Sequence, residues 1–295
     1  KTCIAFPVRF RRMKGSFWVL LPPLLIVYGC GILNSDGRED PEPAPIPKII
    51  EDHDPSWAGD NSWIAFERKD TAGNSGIYLI RPDGSQKHLR IANGFSPAFS
   101  PDGKFLVFFR NQQLFRYTLE TGELVQLTSQ GSNTSADFSP NGTLIAFQST
   151  ALDTPVFQYH IWLMNSNGSN KRFLGLGTMP EWSPDGKKLA YSGIGGIWTG
   201  DTSGSNQRFV AKGIAPVWHA SGMFIVAALY EATPSGIKGL VRFDTSGANF
   251  QFLRNGFSPE WSPDGSKLVF NVLTVSGMFL WTCDQNGNNA MQLTY

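Results

Sequence analysis

Three acidic residues occupy one repeated position in this chain. Asp137, Glu181 and Glu260 each stand immediately before the aromatic residue of a recurring motif, and the other copies carry Ser56, Ala98 and Val217 there. If the copies are arranged around an axis, three carboxylates converge near one end of a central channel. Such a rim would attract a cation or a basic peptide; the competing reading is a solvated rim with no ligand. A second set of acids, Asp102, Asp185 and Asp264, lies inside the motif. They could bind Ca²⁺ in their loops, but an Asp-Gly pair is also what a tight turn demands of its backbone, which is the simpler explanation. Catalytic constellations are absent from the sequence. There is no Gly-x-Ser-x-Gly elbow, no His-Glu-x-x-His and no paired-cysteine motif. The histidines, His53, His88, His160 and His219, fall at unlike places in their repeats, so no common metal cluster is expected. No catalytic residue, metal ligand or cofactor is assigned, apart from the calcium alternative.

The element that would bring the acids together is the repeat. Clean copies read Phe99-Ser100-Pro101-Asp102-Gly103, Trp182-Ser183-Pro184-Asp185-Gly186 and Trp261-Ser262-Pro263-Asp264-Gly265; Phe138-Ser139-Pro140-Asn141-Gly142 has Asn for Asp. Worn copies begin at Trp57 and Trp218. The aromatics are 42, 39, 44, 36 and 43 residues apart. A period near forty with four strand signals in each repeat specifies a β-propeller. The expected fold is therefore all-β, a six-bladed β-propeller of four-stranded antiparallel blades over residues 48–295.

The second repeat illustrates the pattern. Pro97-Ala98-Phe99 ends a short strand and Ser100-Pro101-Asp102-Gly103 turns the chain. Lys104 to Phe109 is an apolar strand, Leu114 to Leu119 alternates, and Glu120-Thr121-Gly122-Glu123 turns again into Leu124 to Thr128. Both faces of each meander must be apolar, because both pack on neighbours. Trp57, Phe99, Phe138, Trp182, Trp218 and Trp261 are the expected wedges between blades. Ring closure has two readings: Pro47-Lys48-Ile49-Ile50 pairs on the outside of the last blade, or it ends a linker.

Before the repeats the composition changes. Phe17 to Tyr28 is apolar, too short to span a bilayer and interrupted by Pro22-Pro23, as in the hydrophobic region of a secretory signal beginning near Met13. Val27-Tyr28-Gly29-Cys30 resembles a bacterial lipobox. That likeness implies acylation of Cys30, a stable membrane anchor and, with Gly31 rather than Asp following, sorting to the outer membrane. Without it, residues 1–30 are a plain secretory signal. Residues 31–47 are Pro-rich and read as an extended tether. Of three cysteines only Cys283 lies in the repeats, so an internal disulfide is not expected. The leader contributes Lys1, Arg9, Arg11, Arg12 and Lys14 and no acid. Its removal takes the formal charge from +1 to about −4 and leaves no basic stripe, which excludes a nucleic-acid partner.

The best repeats, Met179 to Tyr191 and Ser258 to Phe270, carry Pro-Glu-Trp-Ser-Pro-Asp-Gly followed by a strand. They resemble the TolB-type, WD40-like propeller repeat, and the resemblance covers nearly all of residues 55–295. It implies a cell-envelope protein, periplasmic or surface-facing, that binds protein partners. The same repeat also serves peptidase propellers and pectate-fragment lyases. The chain departs from TolB in having a tether where TolB has an α/β domain. It also lacks the hydrolase domain that a prolyl-oligopeptidase would need after its blades. The expectation is a lipid-anchored, non-catalytic platform for an envelope protein or peptide. The alternative is binding or cleavage of polysaccharide fragments at the channel mouth, in which case carbohydrate is the partner.

Overall fold

A computed structural model describes residues 49–150, 159–230 and 237–295. The leader, Cys30 and the tether expected over residues 1–47 lie outside the described residues. Those described form twenty-four strands in six consecutive groups of four. The first is β1 (Ile50–Trp57), β2 (Ile64–Lys69), β3 (Ser75–Ile80) and β4 (His88–Ala92). The second is β5 (Phe95–Phe99), β6 (Phe105–Arg110), β7 (Gln113–Thr118) and β8 (Leu124–Gln126). The third is β9 (Asn133–Phe138), β10 (Leu144–Ser149), β11 (His160–Asn165) and β12 (Arg172–Leu176). The fourth is β13 (Thr178–Trp182), β14 (Lys188–Gly193), β15 (Gly196–Asp201) and β16 (Arg208–Ala211). The fifth is β17 (Ile214–Trp218), β18 (Phe224–Tyr230), β19 (Ile237–Asp244) and β20 (Gln251–Arg254). The sixth is β21 (Phe257–Trp261), β22 (Lys267–Thr274), β23 (Gly277–Asp284) and β24 (Met291–Gln292). Each group is an antiparallel meander with its motif aromatic ending the first strand.

The motif builds a self-contained turn. The Ser183 hydroxyl accepts the Lys188 N–H at 2.9 Å and bonds Asp185 Oδ1 at 2.7 Å, while that same carboxylate oxygen accepts the Lys187 N–H at 3.1 Å. Ser100 with Asp102 and Ser262 with Asp264 repeat the arrangement. Asn141 substitutes without loss, because only one side-chain oxygen is used. The motif carboxylates thus have a complete backbone role. In the worn fifth copy His219 replaces Ser. Its Nδ1 accepts the Ser221 N–H at 3.1 Å, and its Nε2 lies 3.1 Å from the Gly265 carbonyl of the next group.

The core is divided into six clusters, one at each seam between groups. Trp182 packs with Ala146, Ile161, Leu163 and Leu174 of the preceding group. Phe99, Phe138, Trp218 and Trp261 likewise sit against the group before their own. Trp57 joins Ile64 and Phe66 to Val269, Leu280 and Leu293 of the sixth group, so the last seam closes the ring. All six aromatics are no more than 7% exposed. Gly247 shows how close the seams are. Its φ is +87°, and a Cβ there would stand 2.0 Å from the Val210 carbonyl of the neighbouring outer strand.

Closure is made by β1. Ile50 and Glu51 pair in parallel with Gly277 and Met278 on the outer edge of β23, where β24 covers Trp281 and Thr282. The same strand then becomes the innermost strand of the first group, paired with β2. This is the first of the two closure readings, shortened to its last residue and extended to Glu51. It also places His53 within a strand.

Candidate functional site

Every innermost strand carries a β-bulge three residues before its aromatic, with a non-glycine residue at positive φ: Asp54, Ser96, Ser135, Met179, Ala215 and Ser258, at 45–52°. The bulge frees an N–H that the neighbouring group must satisfy. Gln148 Oε1 accepts the Met179 N–H at 3.0 Å, and Ser192 Oγ accepts the Ala215 N–H at 2.9 Å. Glu67 is the equivalent residue of the first group and accepts from the Ser96 backbone. Asp54 in turn accepts the Ser96 hydroxyl at 2.6 Å and lies 3.4 Å from that of Ser258, so three adjacent bulges are linked side by side around the channel.

Two residues further along stand the positions that sequence singled out. In the first group Ser56 Oγ accepts the Phe99 N–H at 3.0 Å. In the third, Asp137 Oδ2 accepts the Trp182 N–H at 2.9 Å, and the Asp137 carbonyl accepts the Trp182 indole N–H at 3.2 Å. One task at this position is therefore to tie a blade to the next. Asp137 and Glu181 are also hydrogen-bonded carboxyl to carboxyl; Glu181 feels the charge of Glu260 from the sixth group, and Glu260 feels that of Asp137. The three acids are thus brought into one electrostatic cluster. Two carboxyls in that contact cannot both ionise freely, and one proton is held between them.

Burial dominates their chemistry. It pushes the Asp137 carboxyl up to about 7 against the bonds it receives. Glu181 is raised well above the ordinary range by burial, then by the charges of Asp137 and Glu260. Glu260 is raised by burial and then by Asp137. Glu67 is pushed up to about 8 by burial and by the charge of Asp54, with the Ser96 N–H pulling the other way. The acids accordingly sit in the wall of the channel, partly covered, rather than on a freely solvated rim. No lysine or arginine occurs in any of the six innermost strands.

Asp54 and Glu67 were not singled out from sequence. Glu67 had a signal: it interrupts the apolar run Ile64-Ala65-Phe66 at a register where Gln148, Ser192 and Asn271 are also polar. The motif carboxylates Asp102, Asp185 and Asp264 are at the turns, away from this cluster. His53 lies in β1 and His88 in β4, at opposite edges of the first group, while His160 is at the start of β11 in the third and His219 at a turn of the fifth. Among the described residues no group of three or more His, Cys, Asp or Glu side chains is arranged to hold a metal ion. Cys283 is buried in β23, and burial pushes its thiol up to about 11.

No protein-family model matches the chain. An uncharacterized protein, Atu1656, of Agrobacterium fabrum is 27% identical over 181 residues; the match takes in 54% of this chain and 60% of that protein's length. Among solved structures, a putative TolB from Agrobacterium tumefaciens superposes with a TM-score of 0.61 at 20% identity, over 70% of this chain and 84% of that one. TolB from Acinetobacter baumannii gives a TM-score of 0.64 at 17% identity, over 85% of this chain and 65% of that one. An oligogalacturonate lyase from Vibrio parahaemolyticus gives 0.54 at 14% identity, over 81% and 92%. At these identities the likeness is one of fold, and the fold is the β-propeller that TolB proteins share with other proteins.

Proposed function

We propose that this protein is a non-catalytic binding platform of the bacterial envelope, and that its propeller channel receives a cationic segment of a protein partner. One observation carries the reading: a channel wall holding Asp54, Glu67, Asp137, Glu181 and Glu260 without a lysine or arginine on its innermost strands. Around the mouth, the hairpins between second and third strands add apolar tips. Ile194 is 83% exposed, and Leu273 and Val275 are exposed as well. Pairing sets these tips beside the channel, since Thr178 of β13 stands opposite Ser192 and Phe257 of β21 opposite Asn271. An acidic funnel with exposed apolar tips suits a protein ligand, with the tips supplying buried area and the acids selecting charge. On this reading Cys30 carries the lipid anchor, residues 31–47 are the tether, and the ring works at the outer membrane.

The likeness in fold to an oligogalacturonate lyase keeps a second reading in view, in which the mouth takes polysaccharide fragments. The scattered histidines and the lack of lysine and arginine on the innermost strands, where an acidic sugar would need them, favour the first. Cross-linking the protein in its native envelope, with wild type compared against D137N/E181Q/E260Q, separates them. A protein adduct lost in the triple variant supports the platform, whereas glycan fragments without protein point to the carbohydrate reading. A cation entering the cluster must displace its held protons. Binding of an oligolysine probe is therefore expected to be tighter at pH 8 than at pH 6; equal affinity at both would contradict the mechanism.

A further inference from the structure

Five of the six seams share two connections. The chain itself runs from outer strand to next innermost strand through one to six residues. An arginine also reaches across to a carbonyl of the following group. Arg90 donates to Leu119, Arg116 to Ser166 at 3.2 Å, Arg172 to Thr202 at 2.6 Å, Arg208 to Thr245 and Arg254 to Gly287 at 2.8 Å. The seam between the sixth and first groups is built differently. β1 crosses it after pairing through two residues only, and the outer edge of β23 is covered in two pieces, Ile50–Glu51 and Met291–Gln292, where one continuous strand covers it elsewhere.

One buried cation gathers these pieces. Arg68 of β2 is 5% exposed. Its Nε lies 3.4 Å from Asp52 Oδ1 of β1, and its Nη2 donates to the Tyr295 main-chain oxygen at 2.8 Å. Asp52 is fully buried, and its carbonyl accepts from Asn271 Nδ2 of β22 at 2.5 Å. The Thr294 hydroxyl, next to Tyr295, accepts the Leu280 N–H of β23 at 2.9 Å. The entering strand and the closing segment thus hang on the same guanidinium. A desolvated ion pair adds little net stability but strongly constrains arrangement, because losing one partner leaves the other buried and unpaired. Opening this seam would return water to both charges. The two-residue ladder, the Trp57 cluster and the bonds from Arg68 to Tyr295, Asn271 to Asp52 and Ser258 to Asp54 oppose it.

We propose that the ring opens at the seam between β23 and β1, with Arg68 as the clasp. Opening parts Asp54 from Ser258 and gives side access to the channel wall that carries Glu260. The proposal concerns the ring itself and holds whatever the channel binds.

Hydrogen–deuterium exchange on the full chain tests it. In the wild type, amides of residues 50–57 and 278–282 are expected to exchange faster than those of 160–165 and 197–201, their counterparts at continuous seams. R68Q is expected to accelerate exchange at least tenfold in 50–57 and 291–295 while leaving 160–165 and 197–201 unchanged. Equal acceleration in all six groups, or none at the seam, would overturn the clasp. Should R68Q fail to fold, the wild-type ranking decides: seam amides as protected as their counterparts rule out a preferred opening point.

Discussion

Replacing Glu67 by Gln should stabilise the protein, by an amount that depends on pH. Glu67 contributes one accepting oxygen to the Ser96 N–H, and a Gln oxygen can keep that bond. The amide differs in never ionising. Burial and Asp54 raise the Glu67 carboxyl from 4.5 to about 8, so between these values the native state holds a proton that the unfolded chain has released. Stability from this group is complete below pH 4.5 and is lost as pH rises through 8. The loss runs at about 1.4 kcal/mol per pH unit, on the order of 3 kcal/mol by pH 7 and on the order of 5 kcal/mol above pH 8. E67Q escapes it. Urea unfolding of both proteins from pH 4.5 to 9 should give equal stability at the acid end and a gap that widens with pH in favour of the variant. A gap independent of pH, or a variant less stable at pH 8, would refute the reasoning about burial in the channel wall.

Other outcomes follow from the same structure. W182A empties the centre of one seam cluster and should cost about 3–5 kcal/mol in chemical denaturation; a cost under about 1 kcal/mol would mean that the seam tolerates the loss of its wedge. D185N should change stability by less than about 0.5 kcal/mol, since Asn141 already does this job in the third group, whereas D185A should cost about 1 kcal/mol. Cys283 should not react with a thiol reagent at pH 8 until the protein is unfolded, because it is buried and its thiol is raised to about 11; rapid modification of native protein would contradict that placement.

The parts of the fold that depend on residue type at fixed spacing could be read directly. Ser-Pro-Asp-Gly marks a turn whose hydrogen bonds are internal to it, and an aromatic at the same register of each repeat marks a seam. The approach of Asp137, Glu181 and Glu260 was also legible, because equivalence in the repeat becomes proximity around the ring. What could not be read depends on backbone geometry shared by unlike residues. The bulge positions are Asp54, Ser96, Ser135, Met179, Ala215 and Ser258, which have no common chemistry, and their positive φ is imposed by the ring. Pro55, just after the first bulge, looks like a strand start and hides Ile50 to Asp54. Glu67 and Arg68 are neighbours in β2 yet serve different contacts, one on the channel and one on the closing seam, because successive residues of a strand face opposite ways.

The central claim is that partners enter at the acidic channel. It is tested most directly by placing a photo-cross-linking residue at Ile194, on a hairpin tip beside the channel, or at Phe209, exposed on the outer wall, in living cells. The account predicts a protein adduct from position 194 that disappears in D137N/E181Q/E260Q, and none from position 209. An adduct from position 209 alone, or one from 194 that survives the triple substitution, would contradict it.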